Sequence, residues 1–221
     1  MIYLPRKIHQ AIQEKMENQQ IKAIIWDMGG VILRTEDPYP REKLAEELGI
    51  TREELEKFVF TSRTSNQATS GEISSQEHYQ EIARRFKLDD EGLKNFFDAF
   101  WSGDRVDEIL LDEIRKLRKH YKTAMLSNAW SEAREFLTND FPCLEPFDIA
   151  IFSAEVKLAK PQPEIYQLLL NQLGIKPGEA VFFDDFPENI AAANNLGIHA
   201  FQFVSREQAL ADLAEIIDSR V

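Results

Sequence analysis

Apolar and polar positions fall into three regimes along the chain. Residues 21–26, IKAIIW, form a near-continuous apolar run rich in β-branched side chains, the pattern of a parallel strand covered on both faces. This run leads into Gly29 and Gly30. From Pro38 to about Trp101 no strand-like run occurs, and helix-start signals recur instead. Thr51 with Glu54 and Ser74 with Glu77 each fit a capping box. Between them TSRTSNQATSG (61–71) is polar and ends in glycine, which predicts a loop. Residues 38–103 are therefore expected to form an all-helical insert. Beyond it strands and helices alternate. Helices are predicted over 106–119, 164–173 and 188–196, and strands over 122–126, 149–152, 180–183 and 199–204. A final helix, capped by Ser205 with Gln208, runs to about Ile217.

This alternation predicts an α/β fold: a doubly wound, Rossmann-like parallel sheet. Residues 1–37 and 104–221 supply it, with the helical insert between them. Near the N-terminus Leu4, Ile8, Ile12 and Met16 recur every four residues, the stripe of a short amphipathic helix over 4–19. It is expected to pack on the domain, with partner binding as the alternative.

Composition narrows the class. The chain has 221 residues, is 43% hydrophobic and carries one cysteine, Cys143. A disordered or fibrous chain is excluded, as are an internal disulfide and a cysteine-based zinc cluster. The net charge of −12 argues against nucleic acid and anionic membrane surfaces, which need clustered positive charge. No apolar stretch has the length of a membrane span or a secretion signal. The expectation is a soluble cytoplasmic protein, a monomer or a small homo-oligomer.

Ligands on doubly wound sheets bind beyond the carboxyl ends of the strands, so the polar residues closing each apolar run matter most. The first run ends at Asp27, followed by Met28, Gly29 and Gly30. The second ends at Ser127 and Asn128. The third is followed by Lys160 and Pro161, and the fourth ends at Asp184 and Asp185, with Glu188 and Asn189 beyond. Each has a structural explanation when taken singly: an Asp or Ser at a strand end caps or turns the chain, and a lysine before proline sits in a loop. Together they make a kit for phosphoryl chemistry. Asp27 can act as nucleophile, the glycines let backbone N–H groups approach a ligand, and Ser127 can donate to an oxygen. Lys160 is a point charge suited to phosphate. Asp27 and Asp185 can hold Mg²⁺, a hard cation that takes oxygen ligands.

The order Asp27, LSN (126–128), KPQPEIY (160–166) and FFDDFPENIAAANNLGI (182–198) resembles the haloacid dehalogenase-like hydrolases. The helical insert is similar to that superfamily's cap, and GEIS (71–74) stands where such caps have a similar phrase. The form of the last motif and Gly29 are similar to the branch holding α-glucose-1-phosphate phosphatases and the phosphatase domain of epoxide hydrolases. The resemblance implies a Mg²⁺-dependent phosphatase acting on a small phosphorylated metabolite, with sugar phosphates favoured. Asp27 would form an aspartyl-phosphate, and Lys160 would neutralise charge and orient Asp27. Ser127, Asn128 and the backbone of Met28 and Gly29 would hold the phosphate. Asp27, Asp185 and the Gly29 carbonyl would bind Mg²⁺, with Asp184 reaching it through a water.

One departure stands out. Most phosphatases of the superfamily carry a second Asp two residues after the nucleophile, and here that position is Gly29. Loss of a general acid–base typically costs ~10²–10⁴ in rate. A cap residue or water would replace it, the leaving group would need less help, or the chain would bind phosphate compounds without efficient turnover. A 2-haloacid dehalogenase is a further alternative, and such an enzyme would have little use for Asp184 and Asp185.

Elsewhere, His78 and His199 lack a partner at metal-ligand spacing and are read as structural. Arg63, the only basic residue in 61–71, is a candidate substrate contact. Phe96, Phe97, Phe100 and Trp101 have helical spacing and are read as the core of the insert. Cys143 is read as an inert buried thiol.

Overall fold

The computed structural model of the chain describes residues 20–218, so the helix expected over residues 4–19 lies outside the described residues. Among these, β1 (Ala23–Trp26) leads through a tight turn into β2 (Leu33–Thr35). Five helices follow: α1 (Tyr39–Glu47), α2 (Arg52–Thr61), α3 (Arg63–Thr69), α4 (Ser75–Phe86) and α5 (Asp90–Trp101). The chain then returns through β3 (Asp104–Val106), which pairs antiparallel with β2, Thr35 opposite Asp104. The remainder alternates: α6 (Glu108–Leu117), β4 (Lys122–Ser127), α7 (Ala133–Asn139), β5 (Ile149–Phe152), α8 (Ser153–Val156), α9 (Pro163–Leu173), β6 (Ala180–Asp184), α10 (Pro187–Asn195), β7 (His199–Gln202) and α11 (Arg206–Asp218).

The main sheet has the order β5-β4-β1-β6-β7, and every neighbouring pair is parallel. Side chains alternate across a strand, so the apolar run of β1 serves two cores. Ala23 and Ile25 join Ala124, Leu126 and Phe182 on one face, under Ile165, Leu169 and Leu173 of α9. Ile24 and Trp26 join Met125, Val181 and Phe183 on the other, under Leu110 and Ile114 of α6 and Leu213 of α11. Trp26 stacks on Phe183 at 4.6 Å between ring centroids.

The helices between β2 and β3 have their own core: Leu44, Leu55, Val59, Ile82, Phe96 and Phe100, with Phe97 and Trp101 packed against it. Both expected capping boxes form, Thr51 with Glu54 and Ser74 with Glu77. Arg41 of α1 ties this unit to the strand ribbon. Its Nη2 donates to both oxygens of the buried Asp104 at 2.9 and 2.7 Å, and its Nε donates to the Phe100 carbonyl.

Two segments depart most from expectation. The predicted loop at 61–71 contains helix α3. Ser62 caps it by accepting from the Ser65 N–H, and burial of Ser65 and Ala68 outweighs a poor intrinsic helix propensity. The helix predicted over 106–119 starts at Glu108, because Val106 ends β3 and Asp107 caps the helix by accepting from the Leu110 N–H.

Candidate active site

Three adjacent strands, β4, β1 and β6, end side by side at one edge of the sheet. Asp27 extends the β1 ladder by one residue, its N–H donating to the Phe183 carbonyl at 2.9 Å. The chain then reverses. Met28 N–H folds back onto Asp27 Oδ1 at 2.7 Å, and the Met28 carbonyl accepts from Ile32 and Leu33. Gly30 has φ +74°, and a Cβ built there would sit 2.3 Å from Asp185 Oδ2. Only glycine allows both the turn and this approach of the β6 carboxylate.

Lys160 reaches into this corner from the loop before α9. Its ammonium lies 2.8 Å from Asp27 Oδ1 and 2.6 Å from Asp184 Oδ2, with all three side chains buried. Ser127 closes β4, buried, paired in register with Phe152. The resemblance implies Asn128 as a phosphate contact; in the structure both ends of its amide meet the Lys160 backbone. Nδ2 donates to the Lys160 carbonyl and Oδ1 accepts from the Lys160 N–H, both at 2.8 Å.

The two adjacent aspartates are used differently. Asp184 is fully buried and accepts from Lys160, from the Phe186 N–H at 2.8 Å and from Asn189 Nδ2 at 3.0 Å to each oxygen. Tyr166 OH donates to the Asn189 carbonyl and so steadies that residue. Asp185 is half-buried, and its Oδ1 is buried without a hydrogen-bond partner.

Charge follows from this packing. Burial, outweighing the nearby Lys160 ammonium, pushes the Asp27 carboxyl up to about 7, and the charges of Asp184 and Asp185 add to the rise. Burial and the Asp184 charge push Asp185 up to about 6. Burial alone would lower the Lys160 ammonium, but Asp27 and Asp184 hold it raised.

The donor set suits a hard cation. Asp27, Asp184 and Asp185 each offer an oxygen, all within 4.8 Å of one another. Three carboxylates face one ammonium, and the Asp185 Oδ1 left without a proton donor is the atom a cation would satisfy.

The two histidines, Arg63 and Cys143 have surroundings of their own. His78 is buried between the Thr64 hydroxyl and the Val59 carbonyl, a structural histidine of the insert, and desolvation lowers its pKa. His199 Nε2 contacts the Gly178 carbonyl. Arg63 is exposed on the first turn of α3. Cys143 is buried, its thiol pushed up to about 12 by desolvation and the Glu108 charge. Tyr166 was not anticipated. Its signal was a phenol at a helix position whose neighbours in the stripe are aliphatic.

Over residues 21–197 the chain matches the family model of the haloacid dehalogenase-like hydrolases. It is 29% identical over 195 residues to D-ribitol-5-phosphate phosphatase of Bacteroides thetaiotaomicron, covering 82% of this chain and 91% of that one. It is 28% identical over 215 residues to bifunctional epoxide hydrolase 2 of Sus scrofa, covering 89% of this chain but 39% of that longer protein. Among solved structures, a family enzyme from Bacteroides thetaiotaomicron in complex with magnesium and inorganic phosphate superposes with a TM-score of 0.69. The two are 27% identical, and the match covers 84% of this chain and 96% of the other. With its parallel sheet and a match spanning most of its length, the chain belongs to the haloacid dehalogenase-like hydrolase family.

Proposed function

We propose that this chain is a Mg²⁺-dependent phosphomonoesterase acting on a small phosphorylated metabolite, with sugar phosphates favoured. The observation that carries the reading is the convergence of Lys160 on Asp27 beside an Asp185 oxygen that lacks any donor. The similarity to a sugar-alcohol phosphate phosphatase supports the choice of substrate class.

Asp27, Asp185 and the Gly29 carbonyl are the residues we assign to the metal, with Asp184 behind them holding Lys160. Bound there, Mg²⁺ supplies positive charge that offsets repulsion between a carboxylate nucleophile and an anionic ester. Asp27 Oδ1 is held by Lys160 and the Met28 N–H, so Oδ2 is the oxygen assigned to attack phosphorus. The new Oδ2–P bond replaces the P–O bond to the alcohol, whose oxygen takes a proton from water. Water then attacks the aspartyl-phosphate, releasing phosphate and restoring the carboxylate. Lys160, the Ser127 hydroxyl and the backbone N–H groups of Met28 and Gly29 stabilise charge on the transferring oxygens. The insert of residues 38–103 covers the crevice and selects the alcohol, with Arg63 one candidate contact.

The test is phosphate release from 4-nitrophenyl phosphate and a panel of sugar phosphates, with Mg²⁺ or with EDTA. Asp27→Asn and EDTA should each abolish it, and full activity of either preparation overturns the reading. A second reading, a phosphate-ligand-binding protein with little turnover, is favoured by the missing acid at Gly29. It requires ligand-dependent stabilisation without release of phosphate from any ester.

A further inference from the structure

The segment that follows β4 touches both the catalytic corner and the helical insert within six residues. At its start, Ser127 closes β4, buried, and Asn128 clamps the backbone of Lys160 through two 2.8 Å hydrogen bonds. Ala129 N–H donates to Ser153 Oγ at 2.9 Å, whose hydroxyl donates back to the Ala129 carbonyl. Trp130 then leaves the core. Its indole sits in the insert's aromatic cluster, 4.9 Å from the His78 ring, 5.7 Å from Tyr79 and 6.4 Å from Phe60. Ser131 N–H donates to Ser75 Oγ of α4 at 3.2 Å, and Ser75 Oγ also bonds Glu132. Close by, a Cβ built on Gly71 of the insert would lie 2.6 Å from the Ala154 carbonyl, so the insert is seated tightly here.

The geometry points to residues 127–132 as the element that sets the insert's seating and the position of Lys160 together, with Asn128 and Trp130 as positioning residues. An indole anchored in the insert lies two residues from the amide that fixes the Lys160 main chain. Ala129 between them is held on both its N–H and its carbonyl by Ser153 of α8, and the next residue of α8, Ala154, lies against Gly71 of the insert, so the insert bears on this segment from both sides. Moving the insert therefore moves Asn128, and with it the ammonium that meets Asp27. The consequence for activity rests on the phosphatase reading. The structural coupling does not.

The test is amide hydrogen exchange of the full chain, wild type against Trp130→Ala, Trp130→Phe and Asn128→Ala. The Lys160 N–H donates to Asn128, so its exchange reports the clamp. Trp130→Ala should speed exchange at Lys160 by roughly tenfold or more. Ile25 and Phe182 in the sheet should keep their protection, and Trp130→Phe should restore it at Lys160. Unchanged protection at Lys160 in Trp130→Ala, or loss equally spread over the sheet, overturns the proposal. In the activity assay, Trp130→Ala and Asn128→Ala should lower kcat by roughly 10- to 100-fold with KM little changed. A wild type that releases no phosphate would sink the phosphatase reading and leave the exchange result to decide the coupling.

Discussion

Asp184 and Lys160 form an ion pair at 2.6 Å in which neither side chain is exposed by more than 1%. An unshared charge at that depth would be costly. The remaining lone pairs of Asp184 are taken by the Phe186 N–H and Asn189, which is why the pair is tolerable. Asp184→Asn removes the charge with little change of shape and leaves Lys160 with Asp27 alone. It should lower stability by about 3–5 kcal/mol, measured as a shift of the urea unfolding midpoint, and should impair catalysis as well.

The raised carboxyls give the metal-free chain a pH dependence of definite sign. Asp27 and Asp185 move from an ordinary 3.8 to about 7 and about 6, so folding favours their protonated forms. That contribution is complete below about pH 4 and is lost as pH rises through 6 and 7. In EDTA the melting temperature should therefore fall between pH 5 and pH 8. A cation that binds the ionised pair reverses the loss, so Mg²⁺ should raise the melting temperature more at pH 8 than at pH 5. Asp185→Asn should lose most of that increment.

The two glycines after Asp27 should behave in opposite ways. A Cβ on Gly29 meets nothing within 4 Å, whereas one on Gly30 collides with Asp185 at a φ of +74°. Gly29→Asp should fold normally and supply the absent acid. Its gain should approach ~10²-fold on alkyl phosphates and be small on an aryl phosphate with a good leaving group. Gly30→Ala should lose Mg²⁺-dependent stabilisation and cost about 1–2 kcal/mol or more from backbone strain.

Arg41 offers a test remote from the chemistry. It is buried, its guanidinium lies over the Phe100 ring at 4.2 Å, and its Nη2 donates to both oxygens of Asp104, whose carboxyl is raised by burial and lowered in part by Arg41. Arg41→Ala strands that carboxylate and should cost about 3–5 kcal/mol in thermal or denaturant unfolding. Substituting the exposed Arg84 should change stability by less than about 0.5 kcal/mol.

The strand ends at Asp27, Ser127, Asp184 and Asp185 were legible because strands buried on both faces read as near-continuous apolar runs, and the first polar residue after such a run marks its end; Lys160, in the loop before α9, was legible only through the KPQPEIY motif. The brief ribbon of β2 and β3 was not, since three residues are too few to display a period of two. Helix α3 was hidden by its own composition, Ser, Thr, Asn and Gln, and forms because neighbouring helices bury Ser65 and Ala68. The partner of Asn128 lies 32 positions away at Lys160. Nothing local distinguishes an amide that grips a ligand from one that grips a distant backbone.

The pairing of Thr35 with Asp104 bears on how such an insert is accommodated. To the sheet, everything between those two residues is a loop whose ends are already hydrogen-bonded together. Closure entropy grows only with the logarithm of loop length, about 0.6 kcal/mol per doubling. Lengthening, shortening or exchanging the helices thus costs the catalytic layer little, provided that the ribbon and the seat for residue 130 are kept. The ribbon works as a socket, and the helices it holds can diversify without renegotiating the fold that holds Asp27.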